Sequence, residues 1–233
     1  MMAQLGVRTA ALLCVVASAM TSLFADGPSA AVGRQHQTAC YPAQFTPFRT
    51  RKVKISDAVA TLTAIVRRPL DVCAPAAIDR ARSADASLYL TCYEISTPAI
   101  GSRSLGKVSN QLAAVPVSVA SPRALCMSSS RTTKPPAPVL LMCYGVTSPA
   151  NAKRINKVIG DTFGTSLDSV LVGRPVSFCA ESGPRTTAPL HLMCYAVSSE
   201  TTGRTVVVTD AWGVLRGSPG RRDRLCLQSS LRR

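Results

Sequence analysis

Four Cys-Tyr pairs recur along the chain at a fixed interval, and that interval constrains the fold more than any other feature. They are Cys40-Tyr41, Cys92-Tyr93, Cys143-Tyr144 and Cys194-Tyr195, with starts 52, 51 and 51 residues apart. A period of this size marks a repeat architecture, in which one supersecondary unit is copied along the chain. Sixteen to eighteen residues after each Cys-Tyr cysteine stands an Asp or Asn: Asp57, Asn110, Asp161 and Asp210. An apolar residue lies two positions before each (Ile55, Val108, Ile159, Val208) and another two positions after (Val59, Leu112, Phe163, Trp212). A small residue follows: Ala60, Ala113, Gly164 or Gly213. A second cysteine closes each unit: Cys73, Cys126, Cys179 and Cys226. Four residues before it come Pro69, Pro122 and Pro175, with Arg222 in that slot of the fourth unit.

Local pattern favours strands. Thr205-Val206-Val207-Val208 and Val115-Pro116-Val117-Ser118-Val119 are β-branched runs between Gly, Pro and Ser. Leu190, Leu192 and Cys194 alternate with His191 and Met193, a period of two. Asp or Asn before a small residue suits a turn, because its side chain bonds to nearby backbone. The expected fold is all-β: tandem disulfide-linked units of three to four short antiparallel strands, paired two by two into small barrels or sandwiches. The polar connector holding Ser128-Ser129-Ser130 and Lys134-Pro135-Pro136 separates residues 37–131, with repeats 1 and 2, from 132–233, with repeats 3 and 4. Arg131-Thr132-Thr133 and Arg185-Thr186-Thr187 recur in the last two connectors and read as duplicated loops.

Residues 1–25 read as an export signal: Arg8, then an uncharged apolar run, then Ala17 and Ala19 or Ala25 as small residues for cleavage. The alternative is a membrane anchor, but the run of roughly fifteen residues falls short of the about twenty that span a bilayer. Residues 26–36 then form a flexible mature N-terminus, and no transmembrane span follows. Cys14 falls inside the signal, which leaves eight cysteines for disulfides in a secreted protein, whether extracellular, periplasmic or at the cell surface. Zinc is disfavoured, since the closest cysteines, Cys179 and Cys194, are fifteen residues apart and the chain has only two histidines. The cysteine series opens on the first type and closes on the second. Pairing within units gives Cys40–Cys73, Cys92–Cys126, Cys143–Cys179 and Cys194–Cys226; pairing between units gives Cys73–Cys92, Cys126–Cys143, Cys179–Cys194 and Cys40–Cys226. The first is favoured, because a unit carrying its own cross-link folds at any copy number.

These landmarks resemble an uncharacterised family of exported bacterial repeat proteins, a domain of unknown function. Its units read as Leu-x-Cys-Tyr, then Asp-Gln-Phe-Gly, then Pro and a Leu-Cys-x-Pro ending. The matching stretches are Leu192-Met193-Cys194-Tyr195, Asp161-Thr162-Phe163-Gly164, and Pro69 through Val72-Cys73-Ala74-Pro75. Asn110-Gln111-Leu112-Ala113 and Asp57-Ala58-Val59-Ala60 lack the Phe-Gly. The resemblance implies architecture and export and brings no activity.

Catalytic chemistry finds little support. His36 falls in the expected flexible start, and His191 alternates with core leucines, which points it to solvent. The acids are few and spread singly, and no cofactor-binding or metal-ligating motif is present. No enzyme activity is expected. The tyrosines face opposite to their neighbouring cysteines, as either an exposed aromatic row or a second covered face of the core. Formal net charge is +15, carried mostly by Arg. Such a surface attracts polyanions, whether anionic polysaccharide, lipopolysaccharide, anionic membrane or extracellular DNA, without sequence-specific reading of nucleic acid. The expected function is an exported structural or adhesion-like module; the alternative is an envelope or extracellular enzyme acting on polysaccharide.

Overall fold

The computed structural model describes residues 35–147, 154–164, 167–183 and 189–232. The expected signal segment, most of the expected flexible start and Arg185-Thr186-Thr187 lie outside the described residues. All regular elements among the described residues are strands: β1 (Gln37–Phe45), β2 (Arg51–Ser56), β3 (Thr61–Ile78), β4 (Ala81–Arg82), β5 (Tyr89–Ser96), β6 (Arg103–Ser109), β7 (Ala114–Ser130), β8 (Leu140–Thr147), β9 (Ile155–Asp161), β10 (Asp168–Ser182), β11 (His191–Ser198), β12 (Val206–Asp210), β13 (Gly213–Pro219), β14 (Arg224–Gln228) and β15 (Ser230–Arg232).

Each unit contributes a Cys-Tyr strand, a short strand into the Asp/Asn turn, and a strand out of it. In the first three units the outgoing strand runs on through the second cysteine, making β3, β7 and β10 long. In the fourth it splits into β13 and β14 around Gly220–Asp223. Proline explains the register breaks in the long strands. It has no N–H to give a ladder, so it sits where the ladder is broken. The registers of β3, β7 and β10 slip at Pro69, Pro122 and Pro175. Arg222 keeps an N–H in that slot, and it donates to the Thr201 carbonyl at 3.0 Å.

The cysteine-bearing strands pair antiparallel in a closed cycle: β1 with β3, then β5, β7, β8, β10, β11 and β14, which returns to β1. This cycle runs through all four units, so the cysteine-bearing strands do not pair the units two by two. All four share one continuous ring, and the described residues form one compact unit. Strands β7 and β8, on either side of the middle connector, pair with each other. Such pairing leaves no open edge in the ring, the liability that isolated strand pairs carry.

Within each unit the two cysteines stand directly opposite in register, as Cys40↔Cys73, Cys92↔Cys126, Cys143↔Cys179 and Cys194↔Cys226. Each opposed pair is a disulfide. All eight cysteines line one central space of about 20 Å³, and sulfurs of neighbouring bridges touch at 3.5 Å (Cys126–Cys143) and 3.8 Å (Cys40–Cys226). Leu90, Leu141 and Leu192, two residues before the Cys-Tyr cysteines, fill the same interior. The opposite strand faces carry the tyrosines, Met127, Met142, Met193 and Phe178 into a second, larger core. The β2–β3, β6–β7, β9–β10 and β12–β13 hairpins supply Ile55, Val108, Ile159 and Val208 to that core.

Candidate functional site

The residues that recur in every unit meet one another. Tyr41 donates to Asp161 Oδ2 at 2.8 Å and Tyr144 to Asp57 Oδ2 at 2.8 Å. Tyr93 donates to Asp210 Oδ2. Tyr195 and Asn110 bond in both senses, with the amide nitrogen 2.9 Å from the hydroxyl. Each tyrosine thus reaches the turn of the unit two along the chain, so units 1 and 3 exchange contacts, as do 2 and 4. Strand pairing follows the same rule. Strand β9 pairs with the end of β3, β12 with the end of β7, and β15 with β6. In the remaining case the Gly183 N–H donates to the Ser56 carbonyl at 3.0 Å.

The other oxygen of each turn aspartate, and the single side-chain oxygen of Asn110, holds its own loop. Asp57 Oδ1 accepts from the Val59 and Ala60 N–H groups at 2.7 and 2.9 Å, and Asn110 Oδ1 from Leu112 and Ala113 at 2.9 and 3.3 Å. Asp161 Oδ1 accepts from Phe163 and Gly164, both at 2.8 Å, and Asp210 Oδ1 from Trp212 at 2.8 Å. The carboxylates are fully engaged. Burial raises the pKa of Asp57 and Asp210 above the ordinary carboxylate range, against the hydrogen bonds that lower it. Burial, then the facing carboxylate, pushes Tyr41, Tyr93 and Tyr144 upward, and Tyr195 is raised by burial. All four tyrosines are buried, so they cover a second core face and form no exposed row.

The fourth unit breaks this regularity at Arg222. Its side chain is fully buried, with Nη2 2.9 Å from Asp161 Oδ2 and Nη1 3.8 Å from Asp168 Oδ2. Nε donates to the Tyr41 hydroxyl at 3.1 Å. The two Nη atoms make no well-angled hydrogen bond, so charge attraction holds the guanidinium. Gly164 makes room for it, since a Cβ there would sit 2.9 Å from Nη2 and 3.0 Å from the Tyr41 oxygen. Asp168 also accepts from Ser199 and Thr201 hydroxyls at 2.5 and 2.9 Å. Burial raises its pKa, but those bonds and Arg222 outweigh that, and the net shift is downward. Sequence alone has these acids standing singly; the fold converges two of them on one arginine. The departure from proline at position 222 was the available signal.

Both histidines differ from expectation. His191 is buried and stacks on Phe178 with ring centroids 5.6 Å apart, and burial lowers its pKa. Residues 191–194 alternate between two faces of β11, and both faces are covered. His36 is tied to Gln228 through N–H bonds in both directions, at 3.0 and 2.8 Å. Neither His36 Nδ1 nor His191 Nε2 has a hydrogen-bond partner among the described residues.

One further grouping joins residues that no spacing in the chain connects. Phe48, Tyr93 and Trp212 pack with centroids 4.7–5.8 Å apart, and the Arg51 guanidinium lies 6.0 Å from Phe48 and 5.8 Å from Trp212. Beside it an open groove of about 880 Å³ runs along Pro42–Phe48, Arg68–Leu70 and Ser218. No helix among the described residues is long and apolar enough to cross a membrane. Comparison with protein-family models, curated proteins and solved structures found no match.

Proposed function

We propose that this protein is an exported, non-enzymatic structural or adhesion-like module that binds polyanionic material at the cell surface. The observation that carries the reading is an imbalance of partners. Every acidic side chain among the described residues already has an intramolecular partner. Asp57, Asp161 and Asp210 lie under tyrosines, and Asp168 binds Ser199 and Thr201. Asp71 and Asp223 hold Arg224, while Asp79 holds Lys157, Glu94 holds Arg68 and Glu200 holds Arg221. Asp85 and Glu181 accept from backbone N–H groups. Among the described cations only Arg68, Lys157, Arg221, Arg222 and Arg224 have an acid partner. The remaining described Arg and Lys are exposed and have no acid partner.

The repeated chemistry supports a non-catalytic role, because Cys, Tyr and Asp or Asn of each unit are buried in bonds to one another. The four disulfides are compatible with an oxidising compartment, and the Cys-Tyr family resemblance supports export. Binding to a polyanion releases counterions and weakens steeply with salt. On immobilised heparin the protein should be retained at physiological ionic strength, about 0.15 M, and elute only above it. Elution below that strength overturns the reading.

A further inference from the structure

We infer that the groove along the β1–β2 link is a binding site for acidic polysaccharide, with sugar faces on Phe45 and Phe48 and acid groups on the arginines at its rim. This rests on the polyanion reading above and deepens it by placing the site and naming the ligand class. The groove, of about 880 Å³, is large enough for several sugar rings and open enough for a chain to pass through.

The residues that build it are special to the first unit. Five and eight positions after Cys40 stand Phe45 and Phe48. The same positions hold Thr97 and Ile100 after Cys92, Ser148 and Asn151 after Cys143, and Ser199 and Thr202 after Cys194. The packing common to the four units therefore does not require an aromatic ring at either place. Phe45 is half-buried and lies on Gly217, where a Cβ would come within 2.6 Å of the ring. Phe48 is half-buried and held from behind by Tyr93 and Trp212. Both rings are fixed by their supports and line the groove.

Charge complementarity selects the ligand. Arg68 lines the groove, and Arg49, Arg51 and Arg67 adjoin it in sequence or by contact with Phe48. All four are exposed. Only Arg68 has an acid partner, Glu94 at 2.7 Å, and that pair is itself on the surface, where ion pairs are weak and exchangeable. Guanidinium groups grip carboxylates and sulfates with two parallel N–H bonds. Gln44, Thr46 and Ser218 along the same groove offer amide and hydroxyl partners for sugar hydroxyls. A uronate or sulfated sugar presents each counterpart: an apolar C–H face, a hydroxyl edge and an anion.

The test uses the full mature chain, with heparin and polygalacturonate oligosaccharides as glycan probes and polyphosphate as an anion without sugar faces, all titrated calorimetrically at 0.15 M salt. The triple variant Arg49→Ser/Arg67→Ser/Arg68→Ser should lose at least about tenfold in glycan affinity. Arg131→Ser/Lys134→Ser/Arg154→Ser, which removes equal charge elsewhere, should lose less than about threefold. Phe45→Ala should weaken the glycans about fivefold and leave polyphosphate unchanged, with intact disulfides by mass spectrometry and a cooperative melting transition above the assay temperature verifying the fold. Equal losses from the two triple variants, or equal effects of Phe45→Ala on glycan and polyphosphate, overturn the site while leaving the polyanion reading standing. Absence of binding to every probe by the unmodified protein overturns both.

Discussion

The hydroxyl of Tyr144 donates to Asp57 Oδ2 at 2.8 Å although the two residues are 87 positions apart in the chain. The same bond occurs, with neutral Asn110, at Tyr195. These two contacts form an internal comparison between a carboxylate and an amide acceptor in the same structural place.

Tyr144→Phe should cost more than Tyr195→Phe. The first leaves a buried carboxylate oxygen without its donor, about 1.5–3 kcal/mol for a hydrogen bond to a charged group. The second loses a neutral bond, about 0.5–1.5 kcal/mol. Urea unfolding of the two variants measures the difference, and equal losses would show that Asp57 is not charged in the folded protein.

Asp57→Asn should be tolerated within about 1 kcal/mol, the range of substitutions that leave packing intact, because Asn110 shows that an amide fits this turn. Asp161→Asn should not be tolerated. It strips the buried Arg222 of the carboxylate 2.9 Å away, a change that costs about 3–5 kcal/mol when a buried pair is broken. Arg222→Met should be comparably damaging alone. The double variant should recover much of the loss, with a coupling energy measured by the four-member cycle.

Stability should respond to pH through the turn acids. Burial raises the folded-state pKa of Asp57 and Asp210, so the folded protein binds more protons than the unfolded chain between the ordinary carboxylate value, about 4, and the raised one. Stability from this source is complete below the ordinary value and declines as pH rises through the window. Asp79 and Asp168, whose pKa values are lowered, contribute in the opposite sense and lose their share as pH falls through the lowered values. The Asp57→Asn/Asp210→Asn variant should therefore gain stability relative to the parent as pH rises from 4 to 7. Urea midpoints across that range test the sign.

The disulfides should resist reduction until the ring opens, since all eight cysteines are buried at its centre. Dithiothreitol should act slowly on the native protein and quickly in urea, followed by alkylation and mass spectrometry. Removing one bridge, Cys143→Ala/Cys179→Ala, opens a loop with a sequence separation of 36 and should cost about 3–4 kcal/mol in the chain-entropy model.

Much of this molecule is readable from spacing. Cysteine period, proline slot and Asp or Asn position set the strand order within a unit, because a turn residue and a missing N–H act through neighbours in the chain. The alternation around Leu192, Cys194 and Tyr195 also determined which side chains share a face. It could not say that the face holding His191 and Tyr195 is covered, because that cover comes from hairpins of other units.

Residue spacing thus dictates the local grammar: strands, turns, and paired cysteines in register. Long-range packing closes the four units into one ring, sets each tyrosine on the turn two units away, and brings Arg222 to Asp161 and Asp168. The physical reason is reach. Turn geometry and strand period act over a few residues, whereas ring closure and the Tyr41–Asp161 clasp join groups 120 residues apart, and only the packed chain brings them within hydrogen-bonding distance.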